Sequence, residues 1–128
     1  MTDIAQIRIL VVDDHAEWRA FVVALLKGKG VNVIDTAATG LEAVKKAAEL
    51  EPTLILMDIG LPDLSGFEAA QRIRTVAPRS RVLFVTCYAG PDFIDASLAA
   101  GGRGCVLKSQ APSELLAAIQ FALRDEPE

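Results

Sequence analysis

Five short apolar runs punctuate this chain, and amphipathic stretches fill the intervals between them. The runs are Ile7–Val12, Val31–Thr36, Thr53–Met57, Arg81–Thr86 and Gly104–Leu107. Near-continuous apolar runs of this length, rich in Val, Ile and Leu, predict strands buried on both faces, as in a parallel sheet. The intervals repeat their apolar residues at helical spacing. Trp18, Phe21, Val22, Leu25 and Leu26 form the first such stripe, which Gly28 and Gly30 end. Thr39-x-x-Glu42 is a capping-box pattern opening a second helix, with Leu41, Val44 and Ala48 inward, stopped at Glu51-Pro52. Ser65-x-x-Glu68 opens a third, with Phe67, Ala70, Ile73 and Ala77 inward, ended by Pro78. A fourth runs from Asp92 to Ala100 and closes at Gly101-Gly102. In the fifth, Pro112 sits in the first turn and Leu115, Leu116, Ile119 and Leu123 face inward, with Asp125–Glu128 expected to fray.

Strands alternating with helices imply βαβ units: an α/β fold with three α/β/α layers and a doubly wound parallel sheet. The expected strand order is 2-1-3-4-5, as in flavodoxin-like (βα)5 folds, with a crevice at the switch point between strands one and three. The 128 residues fit one domain, residues 1–128 with a core of about 7–124.

The ends of the runs bring the chemistry. Strand one ends in Asp13-Asp14, strand three in Asp58, strand four in Thr86, and strand five delivers Lys108. A parallel sheet gathers these ends at one edge, where ligands bind. Three carboxylates at close quarters repel unless a cation joins them, and an all-oxygen donor set suits Mg²⁺. Lys108 offers a point charge for a phosphate oxygen and Thr86 a hydroxyl. Asp58, followed by the break at Gly60 and Pro62, is then a nucleophile arranged for in-line phosphoryl transfer. The alternative is an Asp that merely starts a turn.

Composition narrows the classes. Hydrophobic residues make up 52% of the chain, too many for disorder. The net charge is −4, with no Lys/Arg cluster, which argues against direct nucleic-acid binding by this domain. No apolar run reaches membrane-spanning length and no leader pattern is present, so a cytoplasmic location is expected. Two Cys and one His cannot build a usual zinc site, and Cys87 and Cys105 read as reduced, buried small hydrophobes.

Taken together and in order, Val-Val-Asp13-Asp14, Met-Asp58-Ile-Gly-Leu-Pro62, Val85-Thr86 and Val-Leu-Lys108 resemble the receiver (CheY-like) domain of bacterial two-component response regulators. The resemblance runs from Ile7 to Leu123. The Asp58-Ile-Gly-Leu-Pro-Asp-Leu-Ser-Gly stretch is most similar to the subfamily with a LuxR-type helix-turn-helix output, which this sequence does not contain. The resemblance implies a phosphorelay switch rather than an enzyme with a substrate of its own. Asp58 would accept phosphate from a sensor histidine kinase and lose it by autodephosphorylation. Asp14 and Asp58 would bind Mg²⁺ directly with the Gly60 carbonyl, and Asp13 through water. Thr86 and Lys108 would hold the phosphoryl group. Transcription control would pass through a separate output domain, and homodimerisation through the fourth helix, fifth strand and fifth helix is expected.

The sequence departs from the family at the switch. An aromatic residue usually stands three before the Lys and swings as Thr86 moves toward the phosphate. Here the residue is Cys105, too small for that volume. Weakened or rerouted switching and compensation by a neighbour both remain open. Cys87 stands where a very small residue is usual, and Tyr88 is placed to shield an acyl phosphate from water. Trp18 reads as helix packing, and Lys45-Lys46 as a solvated helix face. His15 reads as a solvated residue of the first turn, with a place near the metal as the alternative. Ile94, Leu98 and Cys105 read as core or as a partner surface. Three rivals stand beside the switch. A pseudo-receiver would lack the complete acidic and Lys set. A haloacid-type phosphohydrolase needs an Asp where Gly60 stands. A flavin binder needs a phosphate loop where Asp13-Asp14 would repel phosphate.

Overall fold

The computed structural model describes residues 6–87 and 90–124. Its strands are β1 (Arg8–Val12), β2 (Asn32–Ala37), β3 (Leu54–Met57), β4 (Arg81–Thr86) and β5 (Cys105–Leu107). They alternate with helices α1 (Ala16–Gly28), α2 (Gly40–Leu50), α3 (Gly66–Val76), α4 (Pro91–Ala99) and α5 (Ala111–Ala122). All pairings are parallel and the order is β2-β1-β3-β4-β5, as the alternation of elements predicts. Since every strand runs the same way, their C-terminal ends meet at one edge. Element boundaries differ from expectation by a residue or so, as ends set by fraying hydrogen bonds do.

The period-two alternation of strand side chains builds two cores. Ile9, Val11, Leu54, Leu56, Leu83 and Val85 face α1 and α5, where Val22, Leu26, Leu115 and Ile119 meet them. Leu10, Val12, Ile55, Met57, Val82 and Phe84 face the other way, onto Ala43 and Ala47 of α2 and Ala69, Ala70 and Ile73 of α3. Phe84 meets Phe67 edge-on at 5.1 Å. Among the described residues no helix is long and apolar enough to cross a membrane.

Both capping boxes form at their donors. Thr39 Oγ1 accepts the Glu42 N–H and Ser65 Oγ accepts the Glu68 N–H, each at 3.1 Å. The inner face of α2 differs from the expected stripe. Gly40, Ala43 and Ala47 are buried, Val44 is half-buried, and Leu41 and Ala48 are exposed. Small residues let the helix backbone sit close to its neighbours, and Gly40 is packed against Leu64. Leu41, turned about 100° from Gly40, is left outside. In α1, Phe21 lies mostly outside the core and packs on Trp18 at 5.3 Å. Lys46 is not a solvated residue. Its Nζ donates to Thr36 O at 2.6 Å and meets Asp35 Oδ1 and Glu42 Oε2 at 3.2 Å, tying α2 to β2. Lys45 is exposed as expected. Both cysteines are free, but Cys87, just past β4, is exposed, and Cys105, at the start of the outer strand β5, is only half-buried against the core. Tyr88 and Asp125–Glu128 lie outside the described residues.

Candidate functional site at the C-terminal edge of the sheet

The sheet ladder itself places two of the acids. Asp13 and Asp58 follow β1 and β3 directly, and each continues the ladder by one rung. The Asp13 N–H donates to Ala37 O, and the Asp58 N–H donates to Val12 O, both at 3.0 Å. Arg19 adds a bond from Nη1 to Asp13 O at 2.7 Å. Asp13 and Asp58 are therefore fixed and buried, while Asp14 is exposed. Thr86 closes β4 and is fully buried. Lys108 begins a 3-10 turn just past β5, and its side chain, 11% exposed, lies back over the edge. Its Nζ is 2.5 Å from Asp13 Oδ2 and 3.8 Å from Asp58 Oδ2.

The loop after Asp58 is held at several points. The Leu61 N–H donates to Ile59 O at 3.1 Å, and the Gly66 N–H donates to the same oxygen at 2.7 Å. A Cβ on Gly66 would overlap the Asp58 carbonyl oxygen and stand 2.9 Å from Ile59 Cα, so α3 can start this close only with glycine there. Asp63 anchors the same loop to α2. Its Oδ1 accepts from Gly40 N and its Oδ2 from Leu41 N, both at 2.8 Å, at a helix N-terminus where a carboxylate is favoured. Asp63 was not among the expected site residues. Its role depends on a contact across 22 residues of sequence, for which no local pattern exists.

Burial pushes the Asp58 carboxyl above the ordinary carboxylate range. The charges of Asp13 and Asp14 add to this, while Lys108 and the Gly60 N–H oppose it. For Lys108, burial disfavours the ammonium, but its hydrogen bond to Asp13 and the charges of Asp58 and Asp13 outweigh burial and raise its pKa. A buried carboxylate that resists ionisation among other carboxylates is a place where a bound cation lowers the free energy.

The donor set fits such a cation. One ligand atom each from Asp13, Asp14, His15 and Asp58 lies within 4.8 Å of all the others. His15 is mostly exposed, as expected, but its Nδ1 lies 3.2 Å from Asp13 Oδ1 and 3.1 Å from Asp14 Oδ1. Trp18 packs against the core, and Lys108 Nζ also stands 5.2 Å from its ring centroid. Thus Asp13, Asp14, Asp58 and Lys108 converge, with Thr86 at the end of the neighbouring strand. Cys105 begins β5 opposite Phe84, on the face away from α1 and α5.

Comparison with known proteins agrees with this arrangement. The family model described as the response regulator receiver domain matches residues 9–120. The response regulator GacA of Pseudomonas viridiflava is 36% identical over 116 residues, covering 90% of this chain and 54% of that protein. The response regulator protein VraR of Staphylococcus aureus is 33% identical over 121 residues, covering 94% of this chain and 58% of that protein. The chain thus spans a little over half the length of these relatives. Among solved structures, a two-component response regulator of the LuxR family from an Aurantimonas species superposes with a TM-score of 0.86 at 36% identity, covering 91% of this chain and 84% of that one. Receiver domains generally bind Mg²⁺ at an acidic cluster of the kind formed here. The chain belongs to the response regulator receiver domains of two-component systems.

Proposed function

We propose that this chain is a phosphorylation switch in which Asp58 is the phosphoacceptor. The observation that carries the reading is the convergence of the buried Asp58 carboxylate with Asp13, Asp14 and the Lys108 ammonium at one sheet edge. An Asp58 carboxylate oxygen attacks the phosphorus of a sensor histidine kinase's phosphohistidine. The P–N bond breaks, the imidazole leaves, and an acyl phosphate forms. Asp14, Asp58 and the Gly60 carbonyl would hold Mg²⁺ directly, and Asp13 would hold it through water. When bound, the ion neutralises charge on the transferring phosphoryl oxygens. Lys108 pairs with one phosphoryl oxygen and Thr86 hydrogen-bonds another. Water then cleaves the acyl phosphate and restores the carboxylate, so the domain resets itself and is not an enzyme acting on a separate substrate.

Residues 1–128 form one receiver domain, with its core at about 7–124. Movement of Thr86 and the neighbourhood of Cys105 transmits the phosphorylated state to α4, β5 and α5. Ile94 and Leu98 are exposed there and suit contact with a second copy. The domain itself binds neither nucleic acid nor membrane and works in the cytoplasm. Transcription control passes through a separate output domain, as the resemblance to the LuxR-type subfamily implies. Acetyl phosphate with Mg²⁺ tests the reading. An adduct should form on the wild type, show hydroxylamine sensitivity, and be absent from Asp58→Asn. An unmodified wild type, also unresponsive to beryllofluoride, would leave an interaction module instead.

A further inference from the structure

We infer that His15 supplies a nitrogen ligand to the divalent cation of this site and shifts its preference from Mg²⁺ toward Mn²⁺. The inference rests on the metal-binding reading above and extends it to a residue outside the carboxylate set. His15 is the N-cap residue of α1, yet its imidazole makes no capping bond to that helix. It folds back instead, so that Nδ1 stands 3.2 Å from Asp13 Oδ1 and 3.1 Å from Asp14 Oδ1. The His15 backbone N–H donates to the same Asp13 oxygen at 2.8 Å, which ties the residue to the acid.

These separations suit donors sharing one ion. Neighbouring donors on an octahedral ion with bonds of about 2.1 Å stand ~3 Å apart, and opposite donors ~4.2 Å. The 3.2 and 3.1 Å separations match neighbouring positions, and the four ligand atoms, all within 4.8 Å of one another, need only a small closure about the ion. An imidazole can present a ring nitrogen lone pair to a metal ion. The side chain is 70% exposed, so no packing opposes a turn of the ring toward the site.

The choice of ion follows from ligand chemistry. Mg²⁺ takes oxygen ligands and gives up water reluctantly, so it gains little from an imidazole. First-row transition ions accept imidazole nitrogen, and among them Mn²⁺ is the one that also suits carboxylate and water. Adding one nitrogen to the carboxylates of Asp14 and Asp58, with Asp13 through water, therefore favours Mn²⁺ over Mg²⁺ relative to oxygen donors alone.

The test titrates Mn²⁺ and Mg²⁺ separately into wild type, His15→Ala and His15→Asn, reading Trp18 fluorescence, with circular dichroism to verify folding. Pulsed electron paramagnetic resonance of the Mn²⁺ complexes reads nitrogen coupling directly. Wild type should show nitrogen modulation, and both variants should lose it. Mn²⁺ affinity should fall about tenfold in both, with Mg²⁺ affinity changed less than about twofold. Absent modulation in the wild type, or parallel losses for both ions, would overturn the role of His15 while leaving the metal site standing. If neither ion binds the wild type, the metal-binding reading falls and this inference with it.

Discussion

Lys108 pairs with Asp13 more closely than with Asp58: its Nζ is 2.5 Å from Asp13 Oδ2 and 3.8 Å from Asp58 Oδ2. The ammonium thus occupies part of the charge that a metal ion would use. Metal binding and the Lys108–Asp13 pair therefore compete, and in the proposed switch a phosphoryl group on Asp58 would give Lys108 a new partner. Lys108→Met should therefore tighten Mg²⁺ binding by roughly threefold to tenfold, since an opposing cation is removed. The same change should abolish the further response to beryllofluoride. Trp18 fluorescence reads both steps, and weaker Mg²⁺ binding in the variant would contradict the competition.

Asp58 carries the opposite sign from a stabilising carboxylate. Burial raises its folded pKa above the ordinary value of about 3.9, so the folded state disfavours the ionised form. Its contribution to stability therefore falls as pH rises from the unfolded value through the raised folded value. Asp58→Asn removes this cost. In EDTA at neutral pH the variant should melt a few degrees higher than wild type, and saturating Mg²⁺ should narrow the gap. Calorimetry in both buffers decides; a lower melting temperature in EDTA would count against it.

Asp63 behaves in the conventional direction. The backbone N–H of Leu41, helped by those of Gly40 and Leu64, holds its carboxyl below the usual range against an opposing effect of burial. Its stabilisation is complete above the unfolded pKa of about 3.9 and disappears as pH falls through the lowered folded value. Asp63→Ala should cost about 1 kcal/mol at neutral pH, the usual worth of an exposed cap. Urea denaturation across the acid range should show the two proteins converging at low pH. A constant gap there would assign the effect to something other than ionisation.

Cys105 is half-buried opposite Phe84, and Phe84 already fills the neighbouring space against Phe67. A small residue at this position should shorten the reach of the switch. Cys105→Tyr should enlarge the backbone chemical-shift changes that beryllofluoride causes along α4 and β5. Full-sized, identical shifts in both proteins would show that Phe84 or another neighbour already does what the missing ring would do.

The chemistry of the site was readable because each key residue ends an apolar run: Asp13 after Val12, Asp58 after Met57, Thr86 at the end of β4, Lys108 after Leu107. A parallel sheet converts that shared position into proximity. Helix faces were less readable. In α2 a ranking by hydrophobicity selects Leu41, whereas close packing selects Gly40, Ala43 and Ala47 for their small size. Lys46 and Asp63 were missed because their partners lie on other elements, and charged residues on an amphipathic helix or loop look solvated until those elements are assembled. The His15 ring was placed in solvent correctly, but only its backbone tie to Asp13 directs it toward the acids.

The anchoring of the β3–α3 loop makes the site mechanically lopsided. On one side, Gly66 is seated against the Asp58 backbone and Asp63 clamps the loop to α2. On the other, α4 begins at Pro91 with Gly90 as an N-cap that offers no side-chain bond, and it carries exposed Ile94 and Leu98. If Asp58 is phosphorylated as proposed, the first side would act as a fixed jaw and the second as the moving one, so a partner would read the event at α4.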